Sequence, residues 1–287
     1  MNAGHGAPPL ARGYGSWVEV GDRVFARRYV FFDQQIVAIL TDDGPVIVDT
    51  RSSPSQAREI LADLRSLTAM PVAAVIDTHH HFDHSLGNAT FKPAPIWGHL
   101  RCAERVLLLT PENLVQKAAE LAQDSPDLAA ELRDGVVLAP PDHTFGDEGA
   151  DIEIGGRRIE LRYLGLGHTD NDVAVVVPDA EVLLAGDLLE NGAPPSFGDS
   201  YPLDWPGTLV ALREFARGAV VPGHGDVGDL AFLDRVLADL TAIADLSRRV
   251  AVGTLDLRGA VAAAPYPERA AREALERGVA QVLGELD

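Results

Sequence analysis

The chain has 287 residues, 46% hydrophobic and 23% charged, values of an ordinary globular protein rather than a disordered one. Its formal net charge of −19 repels phosphate backbones and anionic headgroups, so neither nucleic acid nor a membrane surface is the expected partner. One cysteine, Cys102, excludes an internal disulfide and a cysteine metal cluster.

No apolar run reaches signal-peptide or membrane-spanning length, so a soluble, cytoplasmic protein is expected. Residues 1–14, rich in Gly, Pro and Ala, read as a flexible N-terminal arm. Between residues 17 and 50, the runs WVEV, VFARRYVFF, QQIVAIL and PVIVDT are broken by Gly- and Asp-bearing turns and predict an antiparallel sheet. Ser53, followed by Ile60, Leu61, Leu64 and Leu67, predicts a capped helix packed on it. PVAAVIDT, residues 71–78, reads as a buried strand that runs into HHHFDH.

Residues 100–134 read as helical, with Thr110-Pro111-Glu112 as one start. DIEI, RRIELRYL, DVAVVVP and EVLLAGD predict a second set of strands. A helix over 206–217, a strand in GAVVPGHG, a long helix over 230–250 and a final amphipathic helix over 268–283 complete the chain. This order predicts an α/β (α+β layered) fold, a four-layer αββα sandwich over residues 15–250, with residues 251–287 as a C-terminal helical extension packed on it.

The strongest chemical signal is His79-His80-His81-Phe82-Asp83-His84. His79 and His81 are two apart, so on a continuing strand both imidazoles face one side. Asp83 and His84 reach a second ion only where the chain turns. Imidazole plus carboxylate favours zinc, ahead of iron or manganese. Three more metal-capable residues stand at strand ends beside glycine: His168 in GLGHT, Asp187 in LAGD and His224 in VPGHG. Glycine there lets the backbone approach an ion without a Cβ clash.

In the order HHHFDH, GHT, AGD, PGHG the chain resembles the metallo-β-lactamase superfamily of hydrolases, over roughly residues 17–240. The resemblance implies two zinc ions per chain. His79, His81 and His168 would hold the first, Asp83, His84 and His224 the second, and Asp187 would bridge them. It also implies that Asp49, at the end of VIVDT, hydrogen-bonds beside the site without ligating. The stretch from HTDNDVAVVVPDAEVLLAGD to VVPGHGDVGD is most similar to the zinc β-lactamases of the first subclass. Those enzymes carry a cysteine where this chain has Asp187, an arginine where it has His84, and a lysine at the place of Glu190. An acid at that place repels a β-lactam carboxylate, and the ligand set is closer to glyoxalase-II-like hydrolases.

The implied activity is cleavage of an ester, thioester, lactone or lactam of a small molecule by hydroxide shared between the metals, a pair that acidifies water toward neutrality. Asp83 is the candidate to move the proton to the leaving group. Asp49 and Asp77 are the candidates to hold imidazole N–H groups. The segment 190–204, rich in Gly, Pro and Ser, is the expected substrate-facing loop. Glu190, Asn191, Trp97 and Tyr201 are expected at the pocket. The helices over 100–134 and the C-terminal tail are candidates to roof it. His99 and His143 are read as structural. Three other readings remain open on sequence: a mononuclear-iron persulfide dioxygenase-like oxidoreductase, a small-molecule phosphodiesterase, and a non-catalytic binding protein that retains the fold. So does oligomeric state, a homodimer included.

Overall fold

The computed structural model describes residues 14–286; apart from Tyr14, the expected N-terminal arm lies outside them. Strands β1 (Trp17–Gly21), β2 (Val24–Arg28), β3 (Gln35–Thr41) and β4 (Gly44–Val48) form an antiparallel meander. Helix α1 (Pro54–Leu64) follows, capped by Ser53 Oγ, which accepts from the Gln56 amide. Strand β5 (Ala74–Ile76) then joins β4 in parallel. Helix α2 (Phe82–Ser85), strand β6 (Ile96–His99) and helices α3 (Leu100–Leu107), α4 (Pro111–Leu121) and α5 (Pro126–Asp134) lead to β7 (His143–Phe145). Among the described residues this first sheet has seven strands, in the order β1 to β7.

The second sheet contains β8 (Ala150–Ile154), β9 (Arg157–Tyr163), β10 (Val173–Val177), β11 (Val182–Asn191) and β12 (Val220–Gly225). It is antiparallel except for the β11–β12 pair. Helices α6 (Trp205–Arg213), α7 (Leu230–Ala251), α8 (Leu257–Ala263) and α9 (Glu268–Leu283) complete the chain.

Side-chain alternation builds the layers. Val37 and Ile39 of β3 face inward with Val46, Val48 and Ile76, and meet Leu161, Val175 and Leu184 of the second sheet. Ile36 and Ala38, one residue out of phase, face Ile60 and Leu64 of α1. The outer face of the second sheet, including Val176 and Leu183, packs on Leu209 and Leu212 of α6 and on Leu233 and Leu240 of α7. The result is the expected αββα sandwich. Among the described residues no helix is long and apolar enough to cross a membrane.

Boundaries differ from expectation in places that matter. The run VFARRYVFF ends as a strand at Arg28, because Phe32 and Asp33 take positive φ (55° and 58°) and turn the chain toward the site. β6 and β7 were not expected. They are only four and three residues long, too short for a period-2 pattern to register.

Candidate metal centre

The sequence HHHFDH leaves the end of β5 and turns into α2, so strand-end and helix-start geometries are both used. His79 Nε2 lies 3.1 Å from His81 Nδ1, and His168 Nε2 lies 2.9 Å from the same atom. A second group gathers beside it: His84 Nε2 is 3.2 Å from His224 Nε2, and Asp83 Oδ2 is 3.6 Å and 3.5 Å from those two atoms. Asp187 spans both groups. Its Oδ1 is 3.4 Å from His84 Nε2, and its Oδ2 is 3.3 Å from His224 Nε2, 3.5 Å from His168 Nε2 and 3.7 Å from His79 Nε2.

These donors fit a metal pair. Nitrogens about 2.0–2.1 Å from one tetrahedral zinc stand about 3.3 Å apart, which is close to the spacings seen. One candidate ligand atom from each of His79, His81, His168 and Asp187 lies within 4.8 Å of the others, and so does one from each of Asp83, His84 and His224. Asp187 Oδ1 is buried without a hydrogen-bond partner, a cost that a cation removes. The glycines supply the room. A Cβ on Gly223 would lie 1.9 Å from Asp187 Oδ1, and one on Gly186 would lie 2.8 Å from the Thr78 side chain.

Electrostatics points the same way. Burial holds His168 down to about 4 and His79 well below its ordinary value. Burial also opposes charge on His84 and His224, yet the Asp187 and Asp83 carboxylates outweigh it. They raise His84 well above its ordinary value and His224 to about 10. Asp187 is in turn held well below the carboxylate range against its own burial, first by His224 and then by His84. The carboxylates therefore call for positive charge that protons would otherwise supply, and metal binding would release those protons.

The outer ring nitrogens are held by other parts of the chain. His84 Nδ1 donates to Asp49 Oδ2 (2.8 Å), and Asp49 also accepts from the Thr78 amide (2.8 Å) and hydroxyl (2.9 Å). His79 Nδ1 meets Thr78 Oγ1 at 3.1 Å, and His224 Nδ1 donates to the Phe32 carbonyl at 2.7 Å. His81 Nε2 is 3.1 Å from both oxygens of Asp199, whereas buried His168 Nδ1 has no partner. Asp49 thus stands where expected. Asp77 does not: its Oδ2 accepts from Asn88 Nδ2 at 2.7 Å. It belongs to a buried polar pair behind β5 and orients no imidazole.

A cavity of about 560 Å³ opens onto these groups. Phe32, Phe82, Leu109 and Ala193 form its apolar wall, and Lys117, Glu190, Asn191, Ser196 and Asp199 add polar groups. Glu190 accepts from the Ser196 amide (3.1 Å), and burial followed by the Asp187 charge pushes it up to about 8. Cations on Asp187 would offset the second cause. The 190–204 segment thus lines the cavity through Glu190, Asn191, Ala193, Ser196 and Asp199.

Two expected pocket residues are not there. Trp97 packs partly into the inter-sheet core, with its ring 4.9 Å from that of His143. Tyr201 faces Arg277, 5.9 Å from its ring. The loop between α3 and α4, together with α4 itself, supplies Leu109 and Lys117, so the roof comes from there. The C-terminal helices contribute no lining. α9 borders a separate open groove of about 620 Å³. Phe32, Lys117 and Asp199 had no mark in the sequence beyond, for Asp199, its place in the loop.

The fold and site define an α/β protein, an αββα sandwich with adjoining His/Asp groups that could hold metal ions at one end of its two sheets. A family model described as "Metallo-beta-lactamase superfamily" matches residues 30–277, and the chain belongs to that superfamily, whose members are hydrolases. It is 26% identical over 200 residues to a metallo-beta-lactamase type 2 of Bacillus cereus, covering 67% of each chain. It is also 26% identical over 214 residues to a linear primary-alkylsulfatase of Pseudomonas sp., covering 64% of this chain and only 40% of that one. Among solved structures, a metallo-beta-lactamase from Pontibacter korlensis aligns with TM-score 0.60 at 22% identity, over 79% of this chain and 98% of its own. A double mutant of the sec-alkyl sulfatase PisA1 aligns with TM-score 0.74 at 17% identity, over 94% of this chain and 50% of its own.

Proposed function

We propose that the chain is a binuclear zinc hydrolase that cleaves an ester, thioester, lactone or lactam bond of a small molecule. The observation that carries this reading is the pair of ligand groups joined by Asp187, both open to one cavity. His79, His81 and His168 would hold one ion, Asp83, His84 and His224 the other, and Asp187 both. A zinc pair bound there supplies acidified water and a Lewis acid for the carbonyl oxygen.

The chain's own residues do the rest. Phe32, Phe82 and Leu109 hold the apolar part of the substrate and exclude bulk water. Asp83, whose carboxylate lines the cavity, takes the proton of the attacking water and delivers it to the leaving oxygen, sulfur or nitrogen. Lys117 at the rim attracts an anionic substituent. A sulfate ester is the second reading, favoured because the sec-alkyl sulfatase aligns with 94% of this chain and the Pontibacter korlensis metallo-beta-lactamase with 79%.

The test is metal analysis of protein purified without added metal, beside hydrolysis of p-nitrophenyl esters, thioesters, lactones, nitrocefin and alkyl sulfates. Two zinc ions per chain with chelator-sensitive acyl hydrolysis is the expected result. Turnover of alkyl sulfates alone would move the assignment to the second reading. One tightly bound iron per chain, with sulfide-dependent oxygen uptake and no hydrolysis, would overturn both.

A further inference from the structure

Each of the three imidazoles in the His79–His81–His168 group must present a bare nitrogen to a shared ion, so its proton sits on the other ring nitrogen. That outer N–H decides ring orientation and ligand basicity. His79 relies on the neighbouring Thr78 hydroxyl at 3.1 Å. His168 Nδ1 is buried with no partner at all. Only His81, which turns Nδ1 toward the other two rings, has a carboxylate behind it: Asp199, 3.1 Å from Nε2 through either oxygen. Asp199 also lies 3.7 Å from His80 Nε2.

We propose that Asp199 is the positioning residue of the three-histidine site, fixing the tautomer and angle of His81 from the substrate-facing loop. This rests on the metal-binding reading above and goes beyond its ligand set. Asp199 does not belong to the strand-end motifs that carry the ligands, and the loop bearing it is tied to the C-terminal helix. Arg277 Nε of α9 donates to the Ser200 carbonyl at 2.8 Å. Gln281 accepts from the Leu203 amide at 2.8 Å and donates to Asp204 at 2.6 Å. On the other side the Tyr201 amide donates to the Gly167 carbonyl at 2.8 Å, next to His168. The last helix, which lines none of the cavity, thereby holds in place the loop that orients a ligand. The same loop lines the cavity through Ala193, Ser196 and Asp199.

Zinc titration of the metal-free chain against a competing chelator tests this, with the cobalt(II) absorption spectrum as a second readout. A His224→Ala background assigns which binding step belongs to the three-histidine site. Asp199→Ala is expected to weaken that site roughly 10- to 100-fold and to alter the cobalt bands, the usual consequence of removing a ligand's outer partner. The other site should keep its affinity. Asp199→Asn, which retains an acceptor oxygen, should restore most of the loss. The Asp199 side chain is half exposed, so melting of the metal-free variants should match that of the parent. Unchanged zinc affinity and cobalt spectrum in Asp199→Ala, with the parent binding two zinc ions, would overturn this inference and leave the hydrolase reading intact. Equal loss at both sites would also overturn it, since that marks a general structural defect. A parent chain that binds no zinc would overturn the underlying reading itself.

Discussion

A methyl group at position 223 would sit 1.9 Å from Asp187 Oδ1 and 3.0 Å from the Gly186 carbonyl carbon. Gly223→Ala must therefore push Asp187 away from the point it shares with both ligand groups. Displacing a reacting constellation by about 1 Å costs on the order of 100-fold in rate. The variant is expected to fold, to hold fewer than two zinc ions per chain by metal analysis, and to lose activity on that scale. Full metal content with parental turnover would mean Asp187 does not bridge. Asp83 makes a different prediction. Asp83→Asn keeps the shape of the side chain but cannot accept a proton. With metal content restored by excess zinc, kcat should fall by a factor of roughly 100 to 10,000, the range of general acid–base catalysis. Near-parental kcat in the fully loaded variant would remove Asp83 from the proton pathway. Both residues stand out in the sequence as candidates, because metal-capable side chains that share a hexapeptide, or follow glycine at a strand end, leave a local signature. Asp199 and Phe32 do not. The loop and the positive-φ turn that carry them reach the site only through tertiary contacts, and nothing in their neighbours' spacing records that.

Long elements with a clear period were readable, and short ones were not. α9 occupies the expected residues 268–283, and α7 extends its expected range by one residue, because apolar positions recur on one face over several turns. β6 takes its place through parallel pairing with β5 and β7, partners separated from it by intervening helices or turns. Helix α4 shows what an element can add without carrying a ligand. It starts in a capping box between Thr110 and Asn113, and about two turns later it brings Lys117 to the cavity rim. Among the described residues that line the cavity, Lys117 is the one Lys or Arg. It already pairs with Glu120 at 2.6 Å and sits 5.1 Å from the Phe82 ring, so its influence on a substrate is modest. Lys117→Gln should raise KM about 2- to 5-fold for p-nitrophenyl esters bearing a carboxylate or sulfonate, the scale of an exposed ion pair. KM for neutral esters should stay as it is, and the salt dependence for anionic ones should shrink. Equal changes for neutral and anionic esters would show that Lys117 acts through packing on Phe82.

At the scale of the molecule, the candidate ligands come from both layers of the sandwich. His79, His81, Asp83 and His84 follow β5 of the first sheet, whereas His168, Asp187 and His224 lie after β9, within β11 and within β12 of the second. Val37, Val48 and Ile76 meet Val175, Leu184 and Val221 between the sheets, so the layers are held by apolar burial whether or not an ion is bound. The candidate metal site lies at one end of that core, where carboxylates and imidazoles replace valines. There a metal pair would act as a staple across the layers. A ligand bound to the native state alone stabilises it by about 2.7 kcal/mol when present at 100 times its Kd. For a chain of this size that corresponds to a Tm shift of roughly 5–10 °C. Chelation is therefore expected to lower Tm by at least that much while leaving far-UV circular dichroism unchanged at 25 °C, since the inter-sheet core survives. Zinc should restore Tm in proportion to the logarithm of its free concentration. If the metal were removed and Tm did not move, the ion would have no preference for the folded chain over the unfolded one, and the staple would be refuted. Loss of secondary structure on chelation would mean instead that the core does not hold the sheets together without the staple.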